Sequence, residues 1–281
     1  MSLQDSSTIT VQLVHGSSTT TFTSPNLFTL QLPSYGFTAD IDEIALKNMT
    51  IYYSWPNISA AKGNNSFSYI MNGVTYPVVM GDGIYSFNDL NAFLQQVMVT
   101  NGHYLTDPYN VNQTFINFVV NPVLYCLSLT VTPVPTTLPD GWQNLASLAL
   151  GSHFQLVVPN GMQTLLGFPA GLYPPVPQAL YQINSNIPQI TDCTSLNVLS
   201  NVVNSSSLSL SPNVLATLVV SNGQVPGSQM QFSPMNLDWT LMQKNTTFTY
   251  ITVAIVDQLM RPVLVRDPSG FLAILNIRRR K

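Results

Sequence analysis

The residues with which this chain would have to do chemistry are few, and their spacing is poor. His15, His103 and His153 stand alone, with no HExxH or HxxxH spacing that would set two imidazoles on one metal ion. Cys126 and Cys193 lie far apart with no CxxC pattern, and read as two buried thiols rather than a zinc site or a disulfide. No GxSxG, P-loop or dinucleotide glycine pattern occurs. Gly81-Asp82-Gly83 before Tyr85 reads as a turn, not a phosphate cradle. The one acidic cluster is Asp40, Asp42 and Glu43. A pair of carboxylates does acid–base work only with a pocket that separates their pKa values, so the cluster reads as a solvated loop before a strand. Asp257 and Arg261 read as an ion pair across a turn. These residues make no catalytic set, so the chain is expected to be no enzyme and to hold no metal or cofactor.

Composition points to a different kind of work. The chain has 281 residues, and only 7% of them are charged. An ordinary soluble domain carries about 25%. A hydrophobic content of 45% excludes charge-driven disorder. The polar remainder is Ser, Thr, Asn and Gln with 20 Pro and 15 Gly, a mixture that suits strands and turns. Glu43 is the only glutamate, whereas long surface helices use many. Lys62 and Lys244 bracket a stretch without any Lys or Arg. Four of the nine basic residues are the last four, Arg278, Arg279, Arg280 and Lys281, which leaves five against twelve acidic residues in the body. Such a body is a poor nucleic-acid surface, because phosphate binding needs Lys and Arg clusters. A surface so short of charge suits repeated subunit contacts, whose centres are depleted of charge. The N-terminal segment shows no basic n-region or long apolar h-region, so no signal peptide is expected. The longest apolar stretch, Phe118 to Val131, is broken by Asn121-Pro122 and falls short of a membrane span.

The elements that must position these residues are mostly strands. Thr8 to Val14, Leu27 to Leu32 and Ile41 to Tyr53 read as strands near the N-terminus. Phe248 to Val256, Val263 to Arg266 and Phe271 to Ile277 read as three antiparallel strands at the C-terminus. Asp267-Pro268-Ser269-Gly270 has the residues of a type I turn between the last two. In the middle, Ser86 with Asp89 three positions on reads as a helix cap. Phe87, Leu90, Phe93, Leu94, Val97 and Met98 then repeat at helical spacing up to Asn101-Gly102, which predicts a helix over 87–100. Asn117 to Thr132 reads as one long strand or two. Trp142 to Leu150 and Met162 to Leu166 read as short helices.

One segment is more specific than the rest. A strand ends at Ser54-Trp55-Pro56-Asn57, and a second begins at Asn64-Asn65 and carries Phe67 and Tyr69. Gly83, Tyr85 and the helical pair Leu90-Asn91 follow in order. Read alone, these residues make a hairpin with a packed Trp. Together they resemble the penton-type minor capsid proteins of virophages and Polinton-like viruses. In that family a Ser-Trp-Asn-Ile strand end and an Asn-Asn-X-Phe-X-Tyr strand precede a glycine-tyrosine turn and a Leu-Asn helix. Gly167-Phe168 resembles a later element of the family, and Asp257 to Pro262 its closing hairpin. This chain departs from the pattern by a weakly defined central region.

The resemblance implies a mainly β fold: an antiparallel jelly-roll sandwich of the lineage that includes adenovirus, with an inserted region carrying one amphipathic helix. Along the chain this reads as a jelly-roll core from about residues 1–63 and 189–281, with about 64–188 as an inserted outer subdomain. The function it implies is that of a structural capsid protein, a penton at the fivefold vertices of an icosahedral shell, acting as a homopentamer. Its partners would be itself and the major capsid protein, its place the virion, and its assembly inside the host cell. The alternative is a jelly-roll spike head that binds a receptor or carbohydrate. The basic tail Arg278, Arg279, Arg280 and Lys281 reads as a solvated end, or as a contact with the capsid interior and packaged DNA.

Overall fold

The computed structural model describes residues 8–24, 26–33, 37–39, 42–178, 180–190, 193–204, 213–220 and 227–279. Asp40, Ile41, Arg280 and Lys281, named above, lie outside them. The described residues are mainly antiparallel strands. The chain divides into two compact units, Met1–Trp55 with Cys193–Lys281, and Pro56–Asp192.

The first unit is built from residues near both chain ends. One of its sheets orders Thr8–Val14, Leu272–Arg279, Asp42–Tyr52 and Gln229–Phe232. The other orders Val214–Val219, Ser195–Ser200, Tyr250–Asp257, Leu27–Gln31 and Thr20–Ser24. Thr8–Val14 pairs with Leu272–Arg279 over its whole length, so the first and last strands are partners. Alternation explains the burial. In Leu272–Arg279, Ala273, Leu275 and Ile277 are buried. They join Leu13, Ile44 and Ile51 of the same sheet and Phe28, Leu196, Val253 and Ile255 of the other in one cluster. The rings of Phe28 and Phe271 stack with centroids 3.4 Å apart.

The second unit holds a four-stranded sheet ordered Gly171–Tyr173, Phe154–Val158, Ser66–Met71 and Val74–Val79. A three-stranded sheet orders Ile116–Asn121, Cys126–Val131 and Tyr181–Asn184. The predicted helix is present over Phe87–Thr100, α1. Its capping box is complete: Asp89 N–H donates to the Ser86 hydroxyl, and the Asp89 carboxylate accepts from Ser86 N–H at 2.8 Å. These hydroxyl and backbone donors hold the Asp89 carboxyl below its usual range. Leu90, Leu94 and Met98 are buried, and α1 packs on Ile116–Asn121, where the Asn91 side chain accepts from Phe118 N–H at 2.8 Å.

Three expectations are corrected. Trp142 to Leu150 is not helical. The Asn144 amide bonds Leu148 in both directions, at 2.7 and 2.8 Å, and so takes the backbone groups that a helix would use. Val263 to Arg266 is not a strand: Val265 N–H turns back to the Val263 carbonyl, and Arg266 N–H goes to the Ser54 hydroxyl. The turn over Asp267 to Gly270 is displaced by one residue, because the Asp267 carboxylate binds Ser269 and the turn closes from Phe271 N–H to the Pro268 carbonyl. Asn117 to Thr132 resolves into two strands joined at Asn121 to Cys126. Met162 to Leu166 is a 3-10 turn Asn160–Met162 running into the short helix Gln163–Leu166, α2.

Candidate functional site

The motif residues come together first around Asn57. Its amide is buried and works in three directions: it donates to the carbonyls of Tyr85 at 2.8 Å and Ile190 at 2.9 Å, and accepts from Tyr85 N–H at 2.9 Å. Asn64 donates to the Asn57 carbonyl and accepts from Ser59 N–H, both at 2.9 Å. Asn65 donates to the Met80 carbonyl. Ile58 and Gly83 form a β-bridge, and the Tyr85 hydroxyl donates to the Gly81 carbonyl. Lys62 donates to the Pro56 carbonyl at 2.8 Å. Asn57 and Ile190 stand near the two ends of the second unit, so this polar knot fastens its entrance to its exit. Such side chains satisfy backbone groups that loops would otherwise leave unpaired.

The other motif residues lie apart from that knot. Trp55 is 4% exposed and packs against Tyr53 with ring centroids 4.6 Å apart, in the cluster of the first unit. Ser54 accepts from Arg266 N–H and Asp267 N–H at 3.0 and 3.1 Å. Phe67 and Tyr69 are core residues of the second unit, as are Leu90 and Phe168. Gly167 has a φ of +74°, and a Cβ there would overlap the Asn186 carbonyl. Gly167→Ala is therefore expected to cost at least about 2 kcal/mol, through left-handed strain plus a backbone clash. Chemical denaturation measures it, and a loss below about 0.5 kcal/mol would mean that the 185–186 backbone yields freely. Gly161 has a similar role that the sequence does not signal: a Cβ there would overlap the Gly63 carbonyl.

Two charged pairs are committed to structure. Asp257 accepts from Leu259 N–H and Arg261 N–H at 2.9 Å each and pairs with the Arg261 guanidinium at 2.6 Å. Pro262 bridges back to Val256. Glu43 does not lie in a solvated loop. It belongs to the strand Asp42–Tyr52 and pairs with Arg278 at 2.9 Å. The expectation of a free basic tail starting at Arg278 is corrected likewise. Arg278 and Arg279 belong to the last strand, opposite Glu43 and Asp42, and the Arg278 guanidinium lies 3.9 Å from the centre of the Trp239 ring. Opposite charge across the strands and an aromatic face extend the pairing beyond the apolar run.

Groups able to catalyse do not converge among the described residues, and no cluster of three His, Cys, Asp or Glu forms there. Cys126 and Cys193 are both buried and unbridged. A cleft lined by Ser128, Thr130, Gln182, Ile183 and Asn184 is polar and uncharged. Two loops present apolar side chains on ordered backbone. In one, Asn121 accepts from Val123 N–H and Leu124 N–H, and Val123, Leu124 and Tyr125 are exposed. In the other, the Asp107 carboxylate accepts from Val111 N–H and Tyr109 N–H at 2.9 Å, bonds that hold its carboxyl below the usual range, and Tyr109 is 86% exposed.

No helix among the described residues is long and apolar enough to cross a membrane. No protein-family model matches the sequence, and no curated protein matches it. Solved structures that match along nearly the whole chain include two from virophages. The mavirus penton protein covers 97% of this chain and 99% of its own, with 11% sequence identity and a TM-score of 0.48. A chain in the cryo-EM structure of the Sputnik virophage covers 97% of this chain and 98% of its own, with 12% identity and a TM-score of 0.40.

Proposed function

We propose that this chain is a structural protein of a viral capsid, a penton that occupies the fivefold vertices as a homopentamer. The observation that carries the reading is the strand order of the first unit. Leave aside the edge strand Thr20–Ser24 and the strands of three residues or fewer. Eight strands remain: Thr8–Val14, Leu27–Gln31, Asp42–Tyr52, Ser195–Ser200, Val214–Val219, Gln229–Phe232, Tyr250–Asp257 and Leu272–Arg279. The first pairs with the eighth, the second with the seventh, the third with the sixth and the fourth with the fifth. A ribbon of such pairs rolled into two sheets is a jelly roll, an architecture common in capsid proteins. Along the chain, the second unit is inserted between the third and fourth strands. We assign it as the inserted outer subdomain.

Three further observations support the reading. The motifs from Ser54 to Asn91 resemble the penton family in element order. The body carries few charges, as a surface buried at repeated seams should. Its charged pairs Asp257–Arg261 and Glu43–Arg278 serve turns and strand ends, not a pocket. The work of such a protein is geometric: head-to-tail contacts between subunits close a ring when the rotation closes. The major capsid protein would surround that ring in the virion, with assembly inside the host cell. Mass photometry of the purified protein tests the oligomer. A species of five 30.8 kDa subunits is expected. A clean monomer or trimer that binds a glycan array would favour the spike-head alternative instead.

A further inference from the structure

The second unit buries a histidine in an aromatic box, and nothing in the proposed capsid role uses it. His103 is 5% exposed and follows the C-terminal end of α1, where its N–H donates to the Met98 carbonyl at 2.8 Å. Its ring meets Tyr76 edge-on with centroids 4.5 Å apart, and Tyr69 and Phe154 at 5.7 and 6.0 Å. Its Nδ1 lies 2.8 Å from the hydroxyl of Tyr69, which is fully buried. The Asn101 amide donates to that same hydroxyl at 2.9 Å.

These contacts determine where the protons sit. The Asn101 amide donates to the Tyr69 oxygen, and His103 Nδ1 is the acceptor within reach of the hydroxyl's own hydrogen, so the hydroxyl is fully satisfied only when it donates to His103. His103 is thereby the neutral tautomer with its hydrogen on Nε2. A second proton on the ring would land on Nδ1, where two hydrogens would face each other. Tyr69 would then receive two donors and its own O–H would lose its acceptor in a buried site. The titratable groups facing the ring are Tyr69 and Tyr76, with Phe154 as a third aromatic neighbour. No charged side chain is among them to offset an imidazolium. The end of α1 and the aromatic faces favour a cation, but neither replaces the lost acceptor.

We propose that the Tyr69–His103–Asn101 cluster makes the second unit acid-sensitive, holding it closed at neutral pH and loosening it when His103 is protonated. Burial pushes the His103 imidazole below its usual 6.5 and raises the Tyr69 phenol to about 12, so Tyr69 keeps its hydrogen throughout. The sign follows from linkage. The unfolded state binds the proton more readily, so the contribution is complete above the free imidazole value and is lost as pH falls below it.

Hydrogen exchange on the full chain, corrected for intrinsic rates, tests this between pH 7.5 and 5. Protection of Ser66–Met71, Val74–Val79 and α1 is expected to fall by up to about tenfold per pH unit below 6.5, relative to Leu272–Arg279 as internal reference. His103→Gln, which offers an amide oxygen to Tyr69 but does not titrate, should keep its protection across the range. Tyr69→Phe, which removes the competing O–H, should show a smaller acid loss than the wild type even if His103→Gln folds poorly. A wild type with no acid loss in these segments overturns the proposal. An undiminished loss in Tyr69→Phe, or in a folded His103→Gln, overturns it equally.

Discussion

Replacing Trp55 by Ala is expected to destabilise the first unit by about 3–5 kcal/mol, the cost of removing a large core ring that its surroundings cannot refill. Trp55 is 4% exposed, tilts against Tyr53 and belongs to the cluster that both sheets of that unit share. It closes the strand Asp42–Tyr52 just where Ser54 catches the backbone of Arg266 and Asp267. A void here should also loosen the segment that precedes the last strand. Guanidinium denaturation followed by near-UV circular dichroism measures the loss. Trp55→Phe keeps a ring against Tyr53 and should cost markedly less. A loss under about 1 kcal/mol for Trp55→Ala would mean that the ring is not core, and would make it a candidate ligand contact.

The second large effect belongs to Asn57. Asn57→Ala strands Tyr85 N–H and leaves the carbonyls of Tyr85 and Ile190 without their donor. Each orphaned group costs about 1–3 kcal/mol when buried. Tyr85 and Ile190 are half-buried, so water recovers part of this, and a total of about 2–4 kcal/mol is expected. Asn57→Asp is the sharper variant, since it has nearly the same shape. Its carboxylate still accepts from Tyr85 N–H but faces two carbonyl oxygens with negative charge. Its folded-state pKa is therefore raised above the unfolded value. Between those two values the folded state binds more protons, so stability falls as pH rises and recovers on acidification. A denaturation series from pH 4 to 7 measures the trend. If Asn57→Asp matched the wild type at pH 7, the knot would not be holding the second unit.

Much of the fold is legible along the chain, because local patterns carry it. Apolar and β-branched alternation marks Thr8–Val14 and Leu27–Gln31, and the Ser86–Asp89 box with its apolar repeat marks α1 at both ends. These signals depend on neighbours within one turn or one strand, which sequence spacing reports directly. The reading fails where a side chain captures backbone groups. Asn144 replaces a helix over 142–150, and Ser54 takes the N–H groups of Arg266 and Asp267, which are close only in the folded chain.

What the sequence determined by itself is the material of the protein: strands, few charges and one well-capped helix. The tertiary structure alone decided how those parts meet. The partnership of the first strand with the last, the pairing of Glu43 with Arg278, and the placing of His103 beside Tyr69 join residues far apart in the chain. Asn57 reads as one more turn-forming polar residue until its amide is found between Tyr85 and Ile190. Gly161 carries no signal until Gly63 presses against it. Closing such long loops costs entropy that no local preference offsets, so these contacts form only when the burial of both cores makes them favourable.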